Sequence, residues 1–458
     1  MRLTTMVAGT GMLWLVLACG NAFAATSGSL PKPRPLGREL PVAGPESPTP
    51  EPTVETITGE LTMRQALALA LLHNPDLSAF SWEVRAKEAE ALQAGIRPNP
   101  ELGVEMENFA GGGEFTGTDA AETTVTLSQL IELGGKRAKR RAAATLEADL
   151  AGWDFETRRL DVLTATAKAF VEVLSSQERL TQAEELGGLA ERFFRTVSAR
   201  VEAGKVSPVE QTRAQVPLAA ARIAQDQARL ALEAARKELV AQWGESTARF
   251  DRAVGSLEKI GPVPSQEQLA SLLVQNPDVA RWETEEKQRG ARLALERANA
   301  ISDLTLFAGG RNLQASNDNA FVAGLSIPLP IFDRNQGGIA AARAARSKAR
   351  EESRAARNEA LARLAAGYRD LSAASIEATT LREQILPAAE ESFEATTLGY
   401  QAGKFGFLEV LDAQRTLFEV KGQYVEALAA YHQARAEVER LIGAPLETDI
   451  MNNGQEKK

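Results

Sequence analysis

Ala203-Gly204-Lys205-Val206-Ser207-Pro208-Val209-Glu210-Gln211-Thr212-Arg213-Ala214-Gln215 is echoed late in the chain by Ala402-Gly403-Lys404-Phe405-Gly406-Phe407-Leu408-Glu409-Val410-Leu411-Asp412-Ala413-Gln414. Ala, Gly, Lys, Glu, Ala and Gln coincide. In each copy an Ala-rich helical pattern stops at the Gly, and another starts within four residues. Ser207 suits an N-cap, Pro208 the first helical position, and Glu210 completes an S-x-x-E capping box. The second copy keeps Glu409 at the matching place, with Gly406 as a weaker cap. These stretches read as the tips of two helical hairpins in a duplicated chain.

Working outward, each tip closes a very long helical run, from about Lys136 to Arg200 and from about Gly338 to Tyr400. Leu163, Ala167, Phe170, Val171 and Leu174 form a stripe on the first run; Leu361, Leu364, Tyr368 and Leu371 form one on the second. At 1.5 Å per residue each run is about 100 Å long. The returning helices, Pro208 to Trp243 and Phe407 to Ile442, are about half that length. The missing length comes from helices earlier in each half. Thr62-Met63-Arg64-Gln65 opens one that breaks at Asn74-Pro75 and resumes to about Arg97; Ser265-Gln266-Glu267-Gln268 opens its counterpart, which breaks at Asn276-Pro277-Asp278 and resumes to about Ala300.

Between these helices and the long runs the period changes to two. Leu102, Val104 and Met106 alternate with Gly103, Glu105 and Glu107. After Gly111-Gly112-Gly113, read as a hairpin turn, Val125, Leu127, Gln129 and Ile131 alternate with Thr124, Thr126, Ser128 and Leu130. In the second half Leu304, Leu306 and Ala308 precede a polar loop, and Phe321, Ala323, Leu325 and Ile327 follow it, with Pro328 and Pro330 ending the strand. Roughly ten residues per strand predicts two β-hairpins of membrane-spanning length.

The resulting layout is a first repeat over 59–244, with a hairpin at about 100–131 and a tip at 203–207; a linker over 245–264; a second repeat over 265–443, with a hairpin at about 302–330 and a tip at 402–406; and a polar tail over 444–458. Ahead of it, 1–24 reads as a secretory signal ending in Ala22-Phe23-Ala24, and 25–58 as a disordered linker carrying eight prolines between Leu30 and Pro52. Val16-Leu17-Ala18-Cys19 offers a second reading, in which Cys19 is lipidated instead of discarded. Both readings export the protein.

The chain has 458 residues, 25% of them charged, and a net charge of −9, which speaks against nucleic acid as a partner. Its one Cys forms no intramolecular disulfide, and His73 and His432 are too few for a dedicated soft-metal site. There is no nucleophile–base pair, no P-loop and no metal-spaced His/Cys cluster, so an enzyme is not expected, nor any cofactor. Nothing after the signal is apolar for long enough to form a transmembrane helix. Amphipathic hairpins with open edges cannot stand alone in lipid, and four strands are too few to close a barrel. The strands must therefore belong to a shared barrel, which the long helices would continue as a tube.

From about Leu61 to Gly443 the chain resembles the TolC-like outer-membrane efflux factors. The resemblance rests on Asn74-Pro75-Asp76-Leu77, on Ala203-Gly204-Lys205 with Glu210 and Gln215, on Ala402-Gly403-Lys404 with Glu409 and Asp412-Ala413-Gln414, and on Pro328 to Phe332. It implies a mainly α fold with a small β part: a homotrimer whose 12-stranded outer-membrane β-barrel is continued by a 12-helix periplasmic tunnel. It also implies a periplasmic adaptor and an inner-membrane pump as partners. More narrowly, Pro98-Asn99-Pro100-Glu101-Leu102, Glu132-Leu133-Gly134-Gly135-Lys136-Arg137 and Leu329 to Gly337 resemble the outer-membrane component of cobalt–zinc–cadmium type metal efflux systems. The expected function is thus the exit duct of a tripartite pump for heavy-metal cations, with a proton-driven transporter of the resistance-nodulation-division type. The alternative is a duct for type I protein secretion or multidrug efflux.

Gly204, Lys205, Val206, Gly403, Lys404, Phe405 and Phe407 are the expected adaptor contacts, because exposed apolar residues beside a charge suit hairpin-to-hairpin docking. The plainer reading is two ordinary turns with the Phe side chains packed between helices. Glu409 and Asp412, three apart, share a face at the helix start, and three copies of each would ring a narrow aperture and favour cations. Two other roles stay open for them: complementing the helix dipole, or a latch between Asp412 and Arg213.

Overall fold

The structure, a computed structural model, describes residues 58–446. The signal, Cys19, most of the Pro-rich segment and the end of the tail lie outside the described residues. The first half runs β1 (Gly59–Thr62), α1 (Met63–His73), α2 (Pro75–Ala94), β2 (Glu101–Glu107), β3 (Glu122–Ile131), α3 (Lys136–Glu202) and α4 (Pro208–Ala241). The second runs β4 (Phe250–Val254), α5 (Gln266–Leu272), α6 (Pro277–Asn299), β5 (Leu304–Leu313), β6 (Asp318–Ser326), α7 (Gln336–Thr380), α8 (Leu386–Gln401) and α9 (Phe407–Ile442).

The starts of these helices follow from local chemistry. Thr62 and Ser265 each form a reciprocal capping box with the Gln three residues on. Asn74 and Asn276 cap α2 and α6, each followed by Pro at the first helical position. The same two Asn side chains also reach across the fold. Asn74 Nδ2 donates to the Gln242 carbonyl at 2.7 Å, and Asn276 Nδ2 to those of Arg440 and Leu441 at 2.8 Å each. Each Asn thus fastens the start of one short helix to the end of a returning helix, which is how two short helices stack end to end beside one long one. The adjacent acids complete the joints: Asp76 pairs with Arg158, and Asp278 with Arg440, which also holds Asp161 at 2.8 Å.

The first long helix is unbroken over 67 residues. Its counterpart was expected to be continuous too, but a π turn over Leu381–Ile385 separates α7 from α8. Pro387 is the physical reason. It has no N–H for the carbonyl of Glu383, and its ring crowds that carbonyl; Leu386 N–H bonds instead to Leu381 O. Along the expected stripes Phe170, Leu364 and Leu371 are buried, whereas Leu361 is 41% exposed.

Both hairpins form, and they join through β3 and β5 into one antiparallel sheet of order β2-β3-β5-β6. Strand β2 has 7 residues, short of the expected ten. Gly111-Gly112-Gly113 belongs to a longer loop, 108–121, whose Gly113–Phe115 is a 3₁₀ turn. The register stacks Leu102 and Val104 on Leu127 and Val125, and these on Ala308 and Gly310; β6 then adds Phe321, Ala323 and Leu325 to the same face. That face is apolar and exposed. The other carries Glu107, Glu122, Thr124 and Arg311, with Arg311 paired to Glu122 at 2.9 Å and Glu107 at 3.3 Å.

The linker over 245–264 is more than a connection. Its β4 pairs in parallel with β1, a sheet the sequence did not announce. Leu61, Phe170, Leu239 and Phe250 form a core under it. Gln177 then takes both the N–H and the carbonyl of Ala253 at 2.8 and 2.9 Å. Further on, Tyr431 Oη bonds the N–H and carbonyl of Gly261, and His432 Nε2 donates to Leu257 O at 2.8 Å. A carbonyl only accepts, so Nε2 carries the proton. Burial pushes the His432 imidazole below its ordinary range, against the opposing effect of that hydrogen bond.

Candidate functional site

Both tips end in the same backbone device. Gly204 and Gly403 take φ of 65° and 73°. The Lys after each Gly donates its N–H back to the carbonyl of Arg200 or Gly399, at 2.9 and 2.8 Å. These are Schellman endings, and the left-handed position is why Gly stands there twice. Lys205 and Lys404 are left exposed, Val206 half-buried, and Phe405 49% exposed. The Phe405 ring lies over Gly399, where a Cβ would collide with it. The side chain is therefore both seated on its own tip and available from outside. The Phe407 side chain lies outside the described residues; its backbone begins α9.

The two helix starts differ from the expected capping. Ser207 accepts from Val209 N–H at 3.4 Å and forms no capping box, because Glu210 is drawn to Arg213 at 3.0 Å. Gly406 supplies no side-chain cap, and the Glu409 carboxylate folds back to within 2.7 Å of where a Gly406 Cβ would stand.

Between the tips lies a hollow of about 510 Å³, lined among others by Arg200, Glu210, Arg213, Tyr400, Leu408 and Glu409. Asp412 does not line it; it is exposed and paired with Arg415 at 3.0 Å. The latch between Arg213 and Asp412 is therefore not formed within the chain, each partner being engaged on its own helix. What bridges the tips instead is Arg200. Its Nη1 donates to the Tyr400 hydroxyl at 2.8 Å, and its guanidinium lies 5.3 Å from the ring centroid. Neither residue stood out in the sequence, since they occupy the last turn before each repeat and do not match one another. Their common place just ahead of the two Gly residues was the available signal.

Away from the tips, the lateral order of the elements repeats at every level. Among the helices α4 packs on α3, α3 on α9, and α9 on α7 and α8; nearer the sheet α2 packs on α3, α3 on α6, and α6 on α7. With β2-β3-β5-β6, first-half elements form one margin and second-half elements the other. The array is a curtain with two open margins. Among the described residues no helix is long and apolar enough to cross a membrane, and no group of three or more His, Cys, Asp or Glu could hold a metal ion.

The model of the outer membrane efflux protein family matches residues 66–245 and 269–444, one segment per repeat. The chain belongs to the outer membrane efflux protein family. Its relatives include the cobalt-zinc-cadmium resistance protein CzcC of Cupriavidus metallidurans, 37% identical over 84% of this chain and 90% of that one. The nickel-cobalt-cadmium resistance protein NccC of Alcaligenes xylosoxydans xylosoxydans is 28% identical over 66% of this chain and 69% of that one. In a solved structure of CusC, 17% identical, the same fold covers 83% of this chain and 92% of that one with a TM-score of 0.70. This efflux protein is an outer-membrane channel component, with its sheet in the membrane and its helices in the periplasm. The apolar face from Leu102 to Leu325 suits lipid, and the face carrying Arg311, Glu107 and Glu122 suits water.

Proposed function

We propose that three copies of the chain form the exit duct of a tripartite pump that exports divalent heavy-metal cations. The reading rests chiefly on the 37% identity to CzcC, which spans nearly the whole of both chains. The open margins support the assembly. On α4 the side chains Val209, Val216, Ile223 and Leu230 recur every seven residues and are 57–67% exposed. Such a seam fits a helix of the next copy. Edge strands β2 and β6 would pair across the same junction and leave no free edge in lipid. Three copies give twelve strands, the number the resemblance implies.

In this reading the tips dock a periplasmic adaptor, which joins the duct to a proton-driven inner-membrane transporter of the resistance-nodulation-division type. Lys205, Val206, Lys404 and Phe405 make the contact, and Glu409 and Asp412 line the entrance. The test is growth of a deletion strain on zinc, cobalt and cadmium salts. Sensitivity should appear, be reversed by the wild-type gene and not by Phe405→Asp, while the variant still assembles. Unchanged metal tolerance, with new sensitivity to dyes or a lost secreted protein, would redirect the cargo to the alternative systems.

A further inference from the structure

The alternation that sets Phe321 and Leu325 on the lipid face does not stop where β6 stops. It continues through Ile327 and, past Pro328, to Leu329, which is 76% exposed. The chain then turns, Ile331 N–H donating to Leu329 O at 2.9 Å. Ile331 is 60% and Phe332 90% exposed. So much bare apolar surface at the foot of a membrane sheet needs an occupant. A neighbouring copy would add to the edge of β6, whereas Leu329 keeps the parity of its apolar face, and Ile331 and Phe332 follow directly after the turn.

The charge at this foot is equally specific. Arg334 is exposed, and its guanidinium folds against the apolar run, donating from Nε to Pro330 O at 3.2 Å and from Nη2 to Ile331 O at 3.5 Å. Three of its five N–H groups remain for another acceptor. Among the described residues no carboxylate pairs with it. Asp333 accepts from Asn335 N–H at 2.8 Å, and Glu296 is taken by the Asn335 side chain at 2.8 Å. The first half is different where it enters its long helix: Lys136, the first residue of α3, is buried and neutralised by Asp303 at 2.8 Å.

We propose that Leu329, Ile331, Phe332 and Arg334 form a lipid anchor, in which the apolar side chains enter the periplasmic leaflet and the Arg334 guanidinium binds the phosphate of an anionic phospholipid. The proposal rests on the outer-membrane reading above. Apolar insertion next to a guanidinium that no carboxylate neutralises is the pattern that holds proteins at an anionic interface, and the fork geometry suits a phosphate.

The test reconstitutes the full-length protein in vesicles of phosphatidylcholine brominated near the headgroup, comparing Phe332→Trp and Phe321→Trp with the parent. Both added tryptophans should lose emission. Loss at Phe321→Trp alone, with a disulfide to the next copy in Phe332→Cys paired with a cysteine on α2, would give the surface to a second copy and overturn the anchor. Loss at neither site would overturn the membrane reading with it. For the charge, native mass spectrometry of protein extracted from mixed phosphatidylglycerol and phosphatidylcholine should show phosphatidylglycerol retained preferentially. Arg334→Gln should abolish that preference and Arg334→Lys keep part of it. Equal retention of the two lipids by the wild type, or an unchanged preference in Arg334→Gln, would refute the phosphate contact.

Discussion

Arg200 at the end of the first long helix donates a 2.8 Å hydrogen bond to the Tyr400 hydroxyl, and its guanidinium sits 5.3 Å from the same ring. One side chain thus ties the two tips by a hydrogen bond and a cation–π contact. Both groups are at a solvated end of the molecule, so each contact is worth well under its buried value. A tie of that strength holds a resting position without locking it. Tyr400→Phe keeps the ring and removes the acceptor, and should raise the conductance of the purified channel in a planar bilayer modestly. Arg200→Ala removes both contacts and should raise it further. Conductance unchanged in both variants would show that the tips are held apart from this pair.

The carboxylates beside that tie make a separable prediction. Glu409 lines the hollow between the tips, whereas Asp412 is paired with Arg415 on the exposed side. Glu409→Gln should therefore lower cation-over-anion selectivity more than Asp412→Asn does, read as a shift in reversal potential under a salt gradient. A larger effect from Asp412→Asn, or none from either, would move the selective step elsewhere.

The seam on α4 predicts where assembly is most sensitive. Covering Val216, Ile223 or Leu230 fully contributes about 1.5–3 kcal/mol each, and a charge trapped there costs more. Ile223→Asp should shift the detergent-solubilised protein from three chains to one by light scattering, with its helical content retained. A trimer that survives both Ile223→Asp and Leu230→Asp would place the junction on another face.

His432 gives the fold a pH dependence of known sign. Its folded-state imidazole titrates below its ordinary range because burial disfavours the cation, Arg435 adding to the effect and Glu439 opposing it. In the unfolded chain it takes up a proton below about pH 6.5. Between that pH and the lower folded value the unfolded state binds more protons, so stability falls as pH falls. Above about pH 6.5 the group costs nothing. The melting temperature should drop more between pH 7.5 and 5 in the wild type than in His432→Gln, which keeps an amide donor for Leu257 O. Equal drops would show that carboxylates alone carry the acid sensitivity.

Much of this architecture can be read from residues that act locally. Thr62, Asn74, Ser265 and Asn276 mark helix starts through chemistry confined to a few positions, and the alternation from Leu102 to Leu325 marks a sheet with one apolar face. The features that escaped depend on partners far along the chain. Strand β1, Gly59–Thr62, has too few residues to show a period, and its partner β4 begins only at Phe250. The joining of the hairpins through β3 and β5 is likewise set by packing. Ser207 and Glu210 spell a capping box that Arg213 disrupts by drawing the Glu away. Pro387 lies inside the run expected to be continuous; a proline can end a helix, kink it or be absorbed in a π turn, and only the neighbouring helices decide which. At the candidate site the Gly of each tip was legible because the left-handed backbone demands it. The Arg200–Tyr400 bridge was not, since it depends on how far apart the two tips stand.

Whether this duct carries divalent cations out of the cell is read from their rate of loss from preloaded cells. Cells lacking the gene, and the same cells carrying it, would be loaded with cobalt, zinc or cadmium, transferred to metal-free medium and followed by elemental analysis. Loss should be slow without the gene and rapid with it, for at least one of these ions. Equal rates for all of them, with the adaptor and inner-membrane transporter present and the protein assembled in the outer membrane, would contradict it.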